Sequence, residues 1–234
     1  MNQLLRNSIL SLAVLLILSC SDDFVNERLD ISGVGESAII ISPAWEADDY
    51  QFQCEGAGNE AFSIDSKPDW LNTDDGSGSF INGMATIHCK ANTVASYSKT
   101  GIYVEQMLVS AGEKTYAVPV YYITEGNPSV QISRTFNISY TSYNTQLEIA
   151  NTGDGILLWD ISAMPDWLSV DMANLHIESL MLGEGAAALI PFILNAEKAL
   201  QGDPTGTIVL ETNDKNNPQI EIAVTADLGT PVLS

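Results

Sequence analysis

Positive charge is what this chain has least of. Lys and Arg together number 9 against 30 Asp and Glu, a formal net charge of −21. Phosphate backbones and anionic lipid head groups are both held by basic side chains, so nucleic acid is excluded as a partner and electrostatic docking on a lipid surface is disfavoured. Histidine is nearly as scarce, with only His88 and His176, and there are 3 cysteines without a CxxC spacing. No nucleophile elbow, Gly-rich phosphate loop or HExxH occurs. Carboxylate pairs carry no weight when so many acids are present, since their spacing is a property of the fold. The expectation is a protein that is not an enzyme and needs no cofactor or metal. Asn72–Gly76 and Asn213–Asn216 cluster oxygen atoms but lack the alternating ligands and closing Glu of a calcium loop. Asn and Asp are also what turns require for their own backbone bonds.

Long apolar runs are missing too. The longest, Ile9–Leu18, falls short of the roughly 20 residues a membrane-spanning helix needs. Arg6 precedes it and Ser19-Cys20 follows, the three-part layout of an export signal. Ile17, Ser19 and Cys20 resemble the lipobox of bacterial lipoproteins, in which Cys20 becomes the acylated first residue of the mature chain. That resemblance implies diacylglycerol on the Cys20 sulfur and a third acyl chain on its amine, a practically permanent membrane anchor. Ser21, Asp22 and Asp23 resemble the acidic surface-export signal of Bacteroidetes lipoproteins. The implied location is the outer membrane, lipid-anchored and exposed on the cell surface. Cleavage would remove Arg6 and no acid, leaving the mature chain still more negative.

Beyond the leader the chain repeats itself. Pro68-Asp69-Trp70-Leu71 recurs as Pro165-Asp166-Trp167-Leu168, 97 positions later, each copy after an alternating strand. Segments of four to ten residues rich in Ile, Val, Tyr and Thr, bounded by Gly, Asn, Asp or Pro, dominate both halves. Helical periodicity is weak, with Ala196–Gln201 long enough for a single turn. About seven strands per hundred residues implies an all-β chain of two tandem immunoglobulin-like β-sandwiches. The expected limits are signal peptide 1–19, lipidated N-terminus and linker 20–36, first sandwich 37–127, second sandwich 128–228 and a tail 229–234.

Pro68–Leu71, the Asp75–Gly78 turn and Ala85–Asn92 make the first unit resemble a BACON domain, an immunoglobulin-like module of Bacteroidetes surface proteins. Pro119-Val120-Tyr121-Tyr122 departs from the Gln-rich last strand usual there. The second unit, with its Asn151–Gly155 turn, Leu157-Leu158-Trp159 and Thr212-Asn213-Asp214, resembles a sister module.

Cys54 and Cys89 each lie on an alternating strand facing inward; a disulfide between them and a pair of buried thiols both remain open. Trp70, Trp159 and Trp167 are expected in the cores. That leaves Trp45, Tyr97, Tyr121, Tyr122, Tyr140 and Tyr143 as aromatic contacts for a sugar, with Trp45, Tyr121 and Tyr122 singled out. In Tyr121-Tyr122 one ring must point outward, because strand side chains alternate. The functional expectation is a non-enzymatic, surface-anchored lipoprotein that binds glycans or another surface polymer. The alternatives are a structural spacer or assembly subunit with a surface protein partner, and an adhesin.

Overall fold

A computed structural model describes residues 38–139 and 145–229. The lipidation site Cys20, the export signal Ser21, Asp22 and Asp23, the residues Tyr140 and Tyr143, and most of the tail lie outside the described residues.

The first sandwich comprises β1 (Ile39–Ile41), β2 (Asp48–Gln53), β3 (Ala61–Ser66), β4 (Leu71–Thr73), β5 (Ser77–Ser79), β6 (Met84–Ala91), β7 (Gly101–Ala111) and β8 (Lys114–Thr124). The second comprises β9 (Val130–Ile132), β10 (Thr135–Ser139), β11 (Gln146–Asn151), β12 (Leu157–Ala163), β13 (Leu168–Val170), β14 (Met181–Leu182), β15 (Ala187–Leu194), helix α1 (Ala196–Gln201), β16 (Thr205–Thr212) and β17 (Gln219–Asp227). In the first unit a sheet ordered β1-β8-β7-β3-β5 faces one ordered β2-β6-β4. In the second, β10-β17-β16-β12-β14 faces β13-β15-β11-β9. In both, the hairpin-paired last strands run antiparallel while an early strand joins the last one in parallel, β1 on β8 and β10 on β17. The fold is all-β and immunoglobulin-like.

The duplication extends to irregularities. β3 shifts register between Ile64 and Ser66 against β7, and β12 shifts between Ile161 and Ala163 against β16, again 97 positions on. A bulge bends its strand and strengthens local twist, so both units carry the same bend at the same place. They diverge after the PDWL segment. The second inserts two 3₁₀ turns, Met172–Asn174 and Ile177–Leu180, ahead of β14.

Alternation sets each core. Tyr50, Phe52, Ile87 and Cys89 on β2 and β6 turn inward toward Met107, Val109, Val118 and Val120 on β7 and β8. Phe52, Phe62 and Phe80 fill the middle with edge and tilted ring contacts at 5.2–6.0 Å between centroids. Trp159, Ile149, Leu210 and Ile222 centre the second core.

The cysteines occupy that first core as separate thiols. β2 sets Asp48 opposite Cys89, whereas the Cys54 N–H donates to Gly83 O six positions further along. At about 3.3 Å per residue the two are about 20 Å apart, far beyond the 4.4–6.8 Å between Cα atoms that a disulfide tolerates. The bridge between Cys54 and Cys89 left open by the sequence is therefore excluded, and both are buried and free. Burial pushes the Cys54 thiol up to about 11. Burial, reinforced by Asp48, Asp49 and Asp74, pushes Cys89 up to about 12.

Candidate functional site

Each aromatic singled out as a sugar contact is inside the protein. Trp45 is 2 %, Tyr121 8 % and Tyr122 1 % exposed. The parity argument for Tyr121-Tyr122 was geometrically sound, but outward is not toward water. Ile39, Ile41, Val120 and Tyr122 face the first core, while Ala38, Ile40, Tyr121 and Ile123 belong to the apolar cluster of the second sandwich. Trp45 joins that cluster from the loop between β1 and β2. The sequence pattern could not show this, because a face buried by another domain and a face buried by its own core are both apolar. Trp70, Trp159 and Trp167 are buried at 6 %, 2 % and 3 %.

Two polar constellations remain. One is the junction. The Tyr121 hydroxyl donates to Glu178 Oε1 at 3.2 Å, so the inserted 3₁₀ segment reaches the first sandwich. The chain crosses between units at 125–129, where the second sandwich straps it down. Asn151, 1 % exposed, uses its whole side-chain amide: Nδ2 donates to Gly155 O at 2.6 Å and Leu182 O at 2.9 Å, while Oδ1 accepts from Ser129 N at 3.1 Å and Gly153 N at 3.0 Å. That meets both donors and both lone pairs of an Asn. Asn213 accepts from Leu158 N at 2.9 Å and donates to Ile156 O at 3.0 Å. Asp214 accepts from Val130 N, Asn216 N and Asn217 Nδ2 at 3.0, 2.9 and 3.0 Å. Burial alone would raise the Asp214 pKa, but these donors outweigh it and hold the carboxyl below its ordinary value.

The strap requires bare backbone. A Cβ at Gly153 would meet Asn127 O at 2.4 Å and one at Gly155 would meet Glu125 O at 2.4 Å, closer than real Cβ contacts come. The Asn151–Gly155 turn and the Asn213-Asp214 pair were visible in the sequence as turn chemistry. Their use as clasps for the linker was not, since their partners lie up to 84 positions away.

The second constellation is at one end of the first sandwich. Glu105 Oε1 accepts from the Trp70 indole at 2.6 Å and from the Tyr97 hydroxyl at 2.7 Å. That bond to Glu105, with smaller contributions from burial and charge, raises the Tyr97 pKa. Tyr97, delivered by the 3₁₀ turn Ala95–Tyr97, stacks on Tyr103 with centroids 4.1 Å apart and planes 7° from parallel. The Tyr103 hydroxyl donates to Lys99 O at 3.0 Å. Tyr122 meets both rings edge-on beneath. Sequence reasoning named Tyr97 and missed Tyr103 and Glu105, whose i, i+2 spacing on one strand face was the available signal.

On the outer face of the three-stranded sheet, His88 Nδ1 lies 2.9 Å from Asp49 Oδ1 and its Nε2 3.8 Å from Asp74 Oδ2. Among the described residues no group of His, Cys, Asp and Glu is arranged to hold a metal ion.

No family model matches the chain, and no curated protein matches it. Among solved structures it is similar to a protein of unknown function from Porphyromonas gingivalis W83, at 14% identity over 82% of this chain and 97% of that one, TM-score 0.36. It is also similar to the E. coli chaperone DraB, at 9% identity over 81% and 93% with TM-score 0.32. The Pseudomonas aeruginosa CupB2 chaperone matches at 7% identity over 81% and 97%, TM-score 0.31.

Proposed function

We propose that this protein is a non-enzymatic, lipid-anchored surface lipoprotein whose two sandwiches act as one stiff body, a spacer or assembly subunit that holds a partner away from the outer membrane. The observation that carries the reading is the strapped junction. A linker meant to swing would be solvated and would tolerate side chains. This one is hydrogen-bonded through Asn151 and Asp214 and wedged against two glycines. Apolar contact across the junction, with Trp45, Tyr121 and Ile123 sharing the second core, adds to the stiffness. Interfaces between domains are by default mobile unless large and hydrophobic; here apolar packing and polar clasps act together. The anchor and its surface address rest on Cys20 and on Ser21, Asp22 and Asp23. Strong negative charge keeps such a body soluble and self-repelling.

Double electron–electron resonance between one spin label on β4 and one on α1 tests stiffness. A single narrow distance distribution is expected; a broad one removes the spacer reading. Cell fractionation tests the anchor separately, with Cys20→Ala expected to release the protein from membranes and retention arguing against acylation. Loss of protease accessibility on intact cells after replacing Asp22 and Asp23 with Ala is the expected result for the export signal.

A further inference from the structure

The duplication supplies an internal control for the aromatic end of the first sandwich. Register against the two bulges makes Val109 and Leu210 equivalent, each paired with the matching Ile of the preceding strand. Counting back along both strands, Glu105 corresponds to Gly206 and Tyr103 to Pro204. The parallel pairing of β1 and β10 likewise makes Tyr122 the equivalent of Ala226. Trp167 is thus buried as fully as Trp70 without any carboxylate, tyrosine pair or third ring beside it. In the second unit Gly206 simply admits Pro165, which a Cβ there would approach to 2.4 Å. Plugging the sandwich end with tryptophan therefore does not require Glu105, Tyr97 or Tyr103. The first unit has elaborated this end beyond what packing demands.

We propose that Tyr97, Tyr103 and Glu105 form a contact site for a neutral saccharide. Both rings are partly exposed, and neither stacks on any other aromatic among the described residues. Their hydroxyls are tied to Glu105 and Lys99, which fixes the ring planes before any ligand arrives and lowers the ordering cost of binding. The negative face of an aromatic ring attracts the weakly positive C–H bonds on one face of a pyranose, as it attracts the edge of another ring. Glu105 accepts rather than donates and lies beside the pair; Lys99 and the Asn72–Asn92 amide pair, joined at 2.9 Å, border the same end with hydrogen-bonding groups suited to sugar hydroxyls.

A cation is the other guest that aromatics and a carboxylate attract. A cage for one needs rings splayed around a point. Here the rings lie 4.1 Å apart and nearly parallel, so nothing fits between them, and Glu105 already serves two donors. A flat stacked pair suits a flat ligand face. This site goes beyond the spacer reading and neither needs the other: the stiffness measurement can fail while the sugar contact stands, and the reverse.

Native affinity electrophoresis of the full-length protein in detergent, through gels containing dextran, mannan, xylan or arabinogalactan, is the test. Retardation by at least one polymer is expected. Tyr103→Ala and Tyr97→Ala should each weaken it by about ten-fold or more, near 1.4 kcal/mol, whereas Tyr103→Phe and Val104→Ser should leave it intact. Should the alanine variants melt early, hydrogen–deuterium exchange of the wild type with the retarding polymer decides, with protection expected over residues 95–105. Free migration in every gel, retardation indifferent to both alanine variants, protection elsewhere, or retardation only by polylysine would each overturn the site.

Discussion

The Trp45 indole donates to Glu125 Oε1 at 2.7 Å, across 80 positions of sequence, fastening the loop after the first strand to the chain that leaves the first sandwich. Burial raises the Glu125 pKa above its ordinary value of 4.5; the bonds from Trp45 and Ser42 and the charge of Lys215 oppose the shift without cancelling it. A carboxyl with a raised folded pKa binds its proton more tightly in the native state. Its charge therefore costs stability at neutral pH, and that cost is relieved as pH falls through the folded pKa toward 4.5. Urea unfolding of wild type and Glu125→Gln at pH 7.5, 6 and 4.5 should show the wild type gaining relative to the variant as pH drops. A difference that stays constant, or grows with pH, contradicts this. Trp45→Phe removes the donor and should cost about 1–3 kcal/mol at pH 7.5.

Asp214 behaves in the opposite sense. Its folded pKa lies below the ordinary 3.8, so its contribution is present above pH 3.8 and is lost as pH falls through the folded value. Asp214→Ala strands the donors at Val130, Asn216 and Asn217. The expected cost at pH 7 is about 2–4 kcal/mol, read from the urea midpoint and slope. At pH 2.5 the gap between variant and wild type should narrow; an unchanged gap would mean the loss is packing rather than charge-assisted bonding.

Why the sandwiches were legible and the junction was not follows from the range of the interactions. Alternation is local, so Tyr50-Phe52-Cys54 and Ile87-Cys89 announce strands and their inward faces without knowledge of partners. The three-residue strands β4, β5, β9 and β13 are too short to alternate and escaped notice. Trp45 and Tyr121 had the right residue type for an exposed aromatic and the right parity, yet both are covered by a surface contributed from more than fifty positions away. Glu105 looked like one acid among many; only the folded chain brings the Trp70 indole and the Tyr97 hydroxyl onto the same oxygen.

The thiols give a chemical check on the register of β2 and β6. With pKa values of about 11 and 12 and both groups buried, almost no thiolate exists at pH 8. Protein carrying Cys20→Ser should have the mass of a fully reduced chain after exposure to air. It should ignore Ellman's reagent while folded and release two equivalents in urea. A mass lower by two hydrogens would show that Cys54 and Cys89 can meet, and would break the strand pairing that keeps them about 20 Å apart.

Gly155 is the sharpest lever on the junction, because its effect is steric and local. A methyl group there must displace Glu125 O, Asn127 N or Pro128 N, all backbone atoms of the strap. The cores on either side contain none of these atoms, so neither sandwich should lose its own packing. Gly155→Ala is therefore expected to leave the strand content of the circular dichroism spectrum unchanged while separating one cooperative thermal transition into two. It should also open the 125–129 segment to limited proteolysis. Gly183→Ala, where nothing lies within 4 Å of the added carbon, is the matched control and should do neither. If Gly155→Ala melts in one step at the wild-type temperature and resists protease, the strap yields without cost and the two sandwiches are held together by the apolar contact around Trp45 and Tyr121 alone.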